Sequence, residues 1–131
     1  MRRASLLALF LFAACGPKPF VPTDKIATLD RLDDVMHVQA RDADPWFKKI
    51  GQAQYADADW EALATVALRM QTTAAKSKSF SRGQSFDVLA DRLAKDGADL
   101  AAAVSTKEAP AVNAALEKMR GTCRACHKEF K

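Results

Sequence analysis

The C-terminal stretch of this 131-residue chain carries an apolar stripe that runs through two cysteines. Val112, Leu116, Met119, Cys123, Cys126 and Phe130 follow one another at intervals of 4, 3, 4, 3 and 4 residues. At 3.6 residues per turn, such positions share one helical face. A helix with that face has to bury it, so both thiols are predicted to point inward. His127 follows Cys126 directly and stands four residues from Cys123, beside it on the helix. Whatever these three side chains hold must therefore lie against this helix, inside the fold.

Cys123-Arg124-Ala125-Cys126-His127 has the spacing that attaches a c-type haem. Each sulfur bonds a vinyl-derived carbon of the porphyrin and the histidine ligates the iron. Other uses of a CxxC fit less well. A thioredoxin-like redox pair needs a strand-to-helix setting that lowers one thiol pKa, and no such setting is evident. A structural zinc site needs four ligands, and only Cys15 and His37 are left to supply two. A disulfide across one helical turn would be strained. One covalent haem c is the predicted cofactor.

Residues 1–14 read as an export signal. Met1-Arg2-Arg3 is basic, and Ala4 to Ala14 is an 11-residue apolar run, too short to span a bilayer as a helix. Phe12-Ala13-Ala14-Cys15-Gly16 is similar to a bacterial lipoprotein box, in which Cys15 is acylated and becomes the new N-terminus; Phe12 stands where leucine is usual. The other reading is a plain signal peptide cut near Ala14, which leaves Cys15 as a thiol. Residues 15–22 hold three of the five prolines, and proline disfavours helix in itself and in the residue before it. They are predicted to form an extended, lipidated tether, with the domain in 23–131. A periplasmic, membrane-anchored protein of a bacterium follows.

Removing Arg2 and Arg3 with the signal lowers the formal charge from +4 to +2, with 18 basic against 16 acidic residues. Two haem propionates bring it near neutral, so charge supplies no argument for a nucleic-acid partner. Lipid on Cys15 and haem on Cys123 and Cys126 would use all three cysteines, which suits an oxidising compartment.

Beyond the tether the periodicity is helical throughout. Thr23 is a candidate N-cap for a first helix to about Asp42, with Ile26, Leu29, Leu32, Met36 and Ala40 on one face and His37 on its flank. Asp44-Pro45 signals a short helix carrying Trp46, Phe47 and Ile50, ended by Gly51. A second long helix is expected from Asp57 or Asp59 to about Lys78, with Trp60, Leu63, Val66, Ala67, Met70 and Ala74 inward. Phe80 to Ser85 read as a loop. A third helix has Phe86, Leu89, Leu93, Gly97, Leu100 and Val104 as its seam, Gly97 marking a close helix contact. The fourth starts around Thr106, with Pro110 in its first turn. The fold class is all-α, an antiparallel up-down four-helix bundle with haem near the C-terminus of the last helix.

This arrangement resembles the cytochrome c' family, the class II c-type cytochromes, and in particular its low-spin, methionine-ligated members. Cytochrome c' is itself one of the handful of proteins commonly used to illustrate the up-down bundle. The carriers of the resemblance are the ending Cys123 to Lys131, similar to the family's CKACHxxFR, and the leucine and alanine spacing of Phe86 to Val104. It implies thioether bonds at Cys123 and Cys126 and proximal ligation by His127. The family often has arginine four residues after that histidine; here it is Lys131, without the planar fork of donors. It also implies that the helix over the iron sets the mechanism. An apolar residue there leaves five-coordinate iron that binds nitric oxide or carbon monoxide, whereas a methionine gives a His/Met electron carrier. Met36 occupies a matching region.

Methionine on an apolar stripe is more commonly a core filler than a ligand. A haem that must face the first helix raises the standing of Met36; Met70 is next, and Met119 lies on the proximal side. His37 is an alternative second imidazole. The expected protein is a membrane-tethered monohaem electron carrier, not an enzyme, serving redox partner proteins; the resemblance also admits a homodimer. The alternatives are a gas-binding haem protein of the same fold and a haem-free helical lipoprotein with a structural CxxC.

Overall fold

A computed structural model of the chain describes residues 16–131; the expected signal segment and Cys15, the expected acylation site, lie outside the described residues. Four α-helices follow an N-terminal 3-10 helix at Thr23–Thr28: α1 Leu32–Phe47, α2 Asp57–Ser77, α3 Gln84–Thr106 and α4 Ala109–Phe130. No strand occurs among the described residues. No described helix is long and apolar enough to cross a membrane.

The helices alternate in direction. At one end the loop after α1 meets the start of α4, where Asn113 accepts from the Gly51 N–H (3.1 Å) and donates to the Gln52 carbonyl (2.9 Å). At the other end the start of α3 meets the end of α4. There Phe86 packs edge-on against Phe130 at 5.3 Å, and Arg82 donates to the Phe130 carbonyl at 2.8 Å. Leu63, Met70, Leu100, Val112, Leu116 and Met119 are fully buried between α2, α3 and α4. Trp46, Tyr55 and Trp60 close one end of this core, with ring centroids 6.4 and 5.4 Å apart in sequence. Gly97 lets α3 approach α2: a Cβ there would stand 2.8 Å from Gln71 Cγ and 3.0 Å from the Ala67 carbonyl oxygen.

The first helical segment departs from the periodicity reading in three ways. It is not continuous from Thr23. Thr23 makes no cap, the 3-10 turn ends with Leu29 in an extended conformation, and α1 starts only at Leu32. Thr28 Oγ1 donates to the Lys25 carbonyl at 2.8 Å, a local bond that competes with helix propagation. Asp33 and Asp34 then favour a helix start where their charge meets the dipole. Nor does Pro45 open a new helix. It lies inside the last turn of α1, where it forgoes a single bond near the helix end, while Trp46 beyond it gains full packing. Finally, the core stripe is Val35, Val38, Ala43 and Trp46. Leu32 and Met36 are half-buried and Ala40 is exposed, because the face carrying Met36 and Ala40 borders a cavity instead of another helix. At the other end of the chain, α3 runs through Thr106 and stops at Lys107, which adopts a left-handed conformation (φ 54°), so α4 begins at Ala109.

Residues 16–22 have no regular structure but lie on the bundle. Lys18 reaches Asp34 at 2.8 Å and Asp33 at 3.2 Å, in the first turn of α1. The Phe20 ring faces the guanidinium groups of Arg41 and Arg69 at 5.1 and 4.9 Å. Ile26 is fully buried.

Candidate functional site

A cavity of about 710 Å³ separates α1 from α3 and the second half of α4. Its volume falls within the roughly 300–1,000 Å³ range of cofactor sites. Because α1 meets α4 mainly across this space, the cavity has two facing walls. Met36, Ala40, Ala43 and Phe47 come from α1, at the 4-3-4 spacing of one helical face. Cys123, Cys126 and His127 come from α4, and Phe86, Leu89, Ala90 and Leu93 from α3 close the side. The stripe on α4 thus divides: Val112, Leu116 and Met119 enter the core, while one turn later the cysteines reach the cavity.

Cys123 and Cys126 are both free thiols and half-buried. Burial pushes the Cys123 thiol up to about 12, and burial also raises Cys126. A thiol-disulfide redox pair requires the opposite shift. Among the described residues no three His, Cys, Asp or Glu side chains are grouped to hold a metal ion, and His37, one of the two residues left for a zinc set, does not line this cavity. The donor set and its setting fit a haem. Two thiols and an imidazole line one cavity with largely apolar walls, and α1 closes the opposite side.

Two buried polar pairs support these walls. Thr122, beside Cys123, donates its hydroxyl to Asp96 of α3 at 2.6 Å, and the carboxylate is 5% exposed. Gln39 of α1 donates to Ser77 Oγ at 3.4 Å, and that hydroxyl donates to the Thr73 carbonyl at 2.9 Å. The first pair fixes the turn that carries Cys123 and the second holds α1 to the end of α2. The sequence reading passed over all four; the available signal was a polar residue at a core register, Asp96 between Leu93 and Leu100 and Gln39 between Val35 and Ala43. The lining is mostly basic among its charged residues, with Arg120, Arg124 and Lys128 on α4 and Lys131 just past its end, against Asp44 of α1. Arg120 pairs with Glu117 and leaves its buried Nε without a partner.

The remaining ligand candidates lie elsewhere. Met70 and Met119 are fully buried in the core. His37 is exposed and borders a second cavity of about 520 Å³, on the flank of α1 under the N-terminal segment.

Comparison with known proteins agrees with this geometry. The chain is 37% identical over 59 residues to a protein named cytochrome c' from Rhodospirillum rubrum, a match covering 45% of this chain and 40% of that relative. No solved structure matches the chain. A family model described as Cytochrome C' matches residues 30–131, from just before α1 to the last residue and including the whole cavity. The chain therefore belongs to the cytochrome c' family, whose members carry one covalently attached haem c.

Proposed function

We propose that this protein is a periplasmic, membrane-tethered electron carrier in which His127 and Met36 would hold the haem iron. One observation carries the reading: of the residues considered as distal ligand, Met36 is the one in the cavity wall. It stands on the helix that faces His127 across that space. When bound, the haem supplies a one-electron iron couple, and a thioether opposite an imidazole raises its potential.

The chain's own part is to fix the ligands and keep water out. Ala40, Ala43, Phe47, Leu89 and Leu93 form an apolar sheath that lowers the local dielectric. Gln39, bonded to Ser77, pins the turn of α1 next to Met36. Ligands held by rigid helices move little between oxidation states, which suits electron transfer. Acylation of Cys15 would place the domain at a membrane surface, and export follows from the signal in residues 1–14.

Substituting Met36 decides the mechanism. The wild-type protein should be six-coordinate and low-spin, and take up carbon monoxide poorly. Met36→Leu should give a high-spin, five-coordinate haem with a lower potential that binds carbon monoxide or nitric oxide readily. A wild-type protein already high-spin, or a spectrum unchanged by the substitution, makes Met36 a wall residue and the gas-binding reading the better one.

A further inference from the structure

The N-terminal segment lies along α1, held at the first turn of that helix and again near mid-bundle. Lys18 bridges Asp33 and Asp34 in the first turn of α1, and Phe20 lies against Arg41 and Arg69. Arg69 is itself fixed, donating to Asp42 at 2.7 Å and to Thr23 Oγ1 at 3.1 Å. Ile26 is buried just beyond. The antiparallel topology puts the start of α1 at the same end as Ser77, Phe86 and Phe130, that is, the end of α2, the start of α3 and the end of α4. Cys126 and His127 are in the last turn of α4 at this end. The Lys18 bridge, the part of the strap nearest Cys15, and the turn carrying Cys126 and His127 therefore lie at one end of the molecule.

We infer that the strap holds the haem end of the bundle toward the bilayer, so that the haem edge faces the headgroup surface and redox partners held in the same membrane. This rests on the proposed acylation of Cys15. Lys18, held at the first turn of α1, is three positions after Cys15, a reach of at most about 11 Å. The 21 residues of α2 extend about 31 Å. An anchor with that reach brings the near end of the bundle to the membrane and leaves the far end in solution.

Charge agrees with this orientation. Arg82, Arg124, Lys128 and Lys131, all at the haem end, have no carboxylate within salt-bridge distance among the described residues. Asp87 and Glu129 are the acids near them, and Asp33 and Asp34, bridged by Lys18, stand at the start of α1 at the same end. The far end carries Asp57, Asp59 and Glu61 at the start of α2 and Glu108 before α4, against Lys48, Lys49 and Lys107, of which Lys49 pairs with Asp59. A surface of anionic headgroups attracts the first set over the second.

The test uses lipidated holoprotein on vesicles of phosphatidylethanolamine and phosphatidylglycerol that contain a nickel-chelating lipid. A nitroxide is placed on Ser79→Cys at the haem end or on Gln54→Cys at the far end, both exposed, and the haem is kept reduced. Nickel at the surface should relax the label at 79 several-fold more than the label at 54. Lys18→Glu combined with Phe20→Ala should narrow that ratio toward one while the protein stays membrane-bound. Equal relaxation at the two positions in the unaltered strap, stronger relaxation at 54, or a ratio indifferent to the strap variant would overturn the inference. Loss of the anchor reading is separately visible, because protein that never binds the vesicles, and behaves as Cys15→Ala does, overturns acylation and orientation together.

Discussion

Arg69 shows what a single buried charge does in this domain. Its side chain is 3% exposed, and Asp42, its partner, is 9% exposed. Removing one member of a buried pair strands the other and costs about 3–5 kcal/mol, whereas replacing both by apolar groups is often neutral. Arg69→Met should therefore lower the urea midpoint by an amount corresponding to about 3 kcal/mol, with the dependence on denaturant unchanged. Adding Asp42→Leu should restore much of the loss. A single variant within 0.5 kcal/mol of wild type, on the scale of a surface substitution, would show that the pair is solvated. At this scale the sequence was legible for residues whose chemistry is contained in a short motif, Cys123, Cys126 and His127. It was not legible for Asp42 and Arg69, which are 27 positions apart, because nothing local marks either as paired. Asp96 and Thr122, 26 positions apart, were hidden for the same reason.

Elements with a long seam were read correctly, and those held by competing local bonds were not. The second, third and fourth helices keep a 3-4 apolar interval over about four or five turns, so a shift of up to three residues at an end leaves their packing unchanged. The first helix lacks that redundancy. The Thr28 side-chain bond stops the 3-10 turn, and Pro45 gives a start signal that the packing of Trp46 overrides. Its two faces were also confused, because a cavity wall and a core face are both apolar; the periodicity alone does not separate the row of Met36 and Ala40 from that of Val35 and Val38. Gly97 belongs to this scale as well. Alanine there gains up to about 1 kcal/mol in helix propensity, but its Cβ would press on the backbone of Ala67 and Gln71. Overpacking costs about 1–3 kcal/mol, and backbone atoms yield less than a flexible side chain. Gly97→Ala should lower the melting temperature by several degrees; an unchanged or higher value would mean that α2 and α3 separate without cost.

At the scale of the whole molecule, three helices form a closed core and the fourth is completed by the cofactor. α1 contributes Val38, Ala43 and Trp46 to the buried interior, yet its other row faces the cavity. A sealed, empty cavity costs about 24 cal/mol per Å³. At 710 Å³ that amounts to about 17 kcal/mol, an upper bound for a space that opens to solvent, set against a total stability of 5–15 kcal/mol for a domain. A chain unable to attach haem leaves these apolar walls to water, so α1 is expected to close onto α4 or detach. Cys123→Ala with Cys126→Ala should therefore yield protein in which α2, α3 and the first half of α4 stay protected, since their contacts bypass the cavity. Amide exchange should accelerate across Leu32–Phe47 and in the last two turns of α4, by orders of magnitude more than around Leu63, Leu100 or Leu116. The haem of the wild type, bonded through both sulfurs, should remain with the polypeptide through urea and acid-acetone. Uniform loss of protection along the chain would instead make the haem part of the folding nucleus of all four helices, and unchanged protection in α1 would mean that its contact with α2 suffices to hold it.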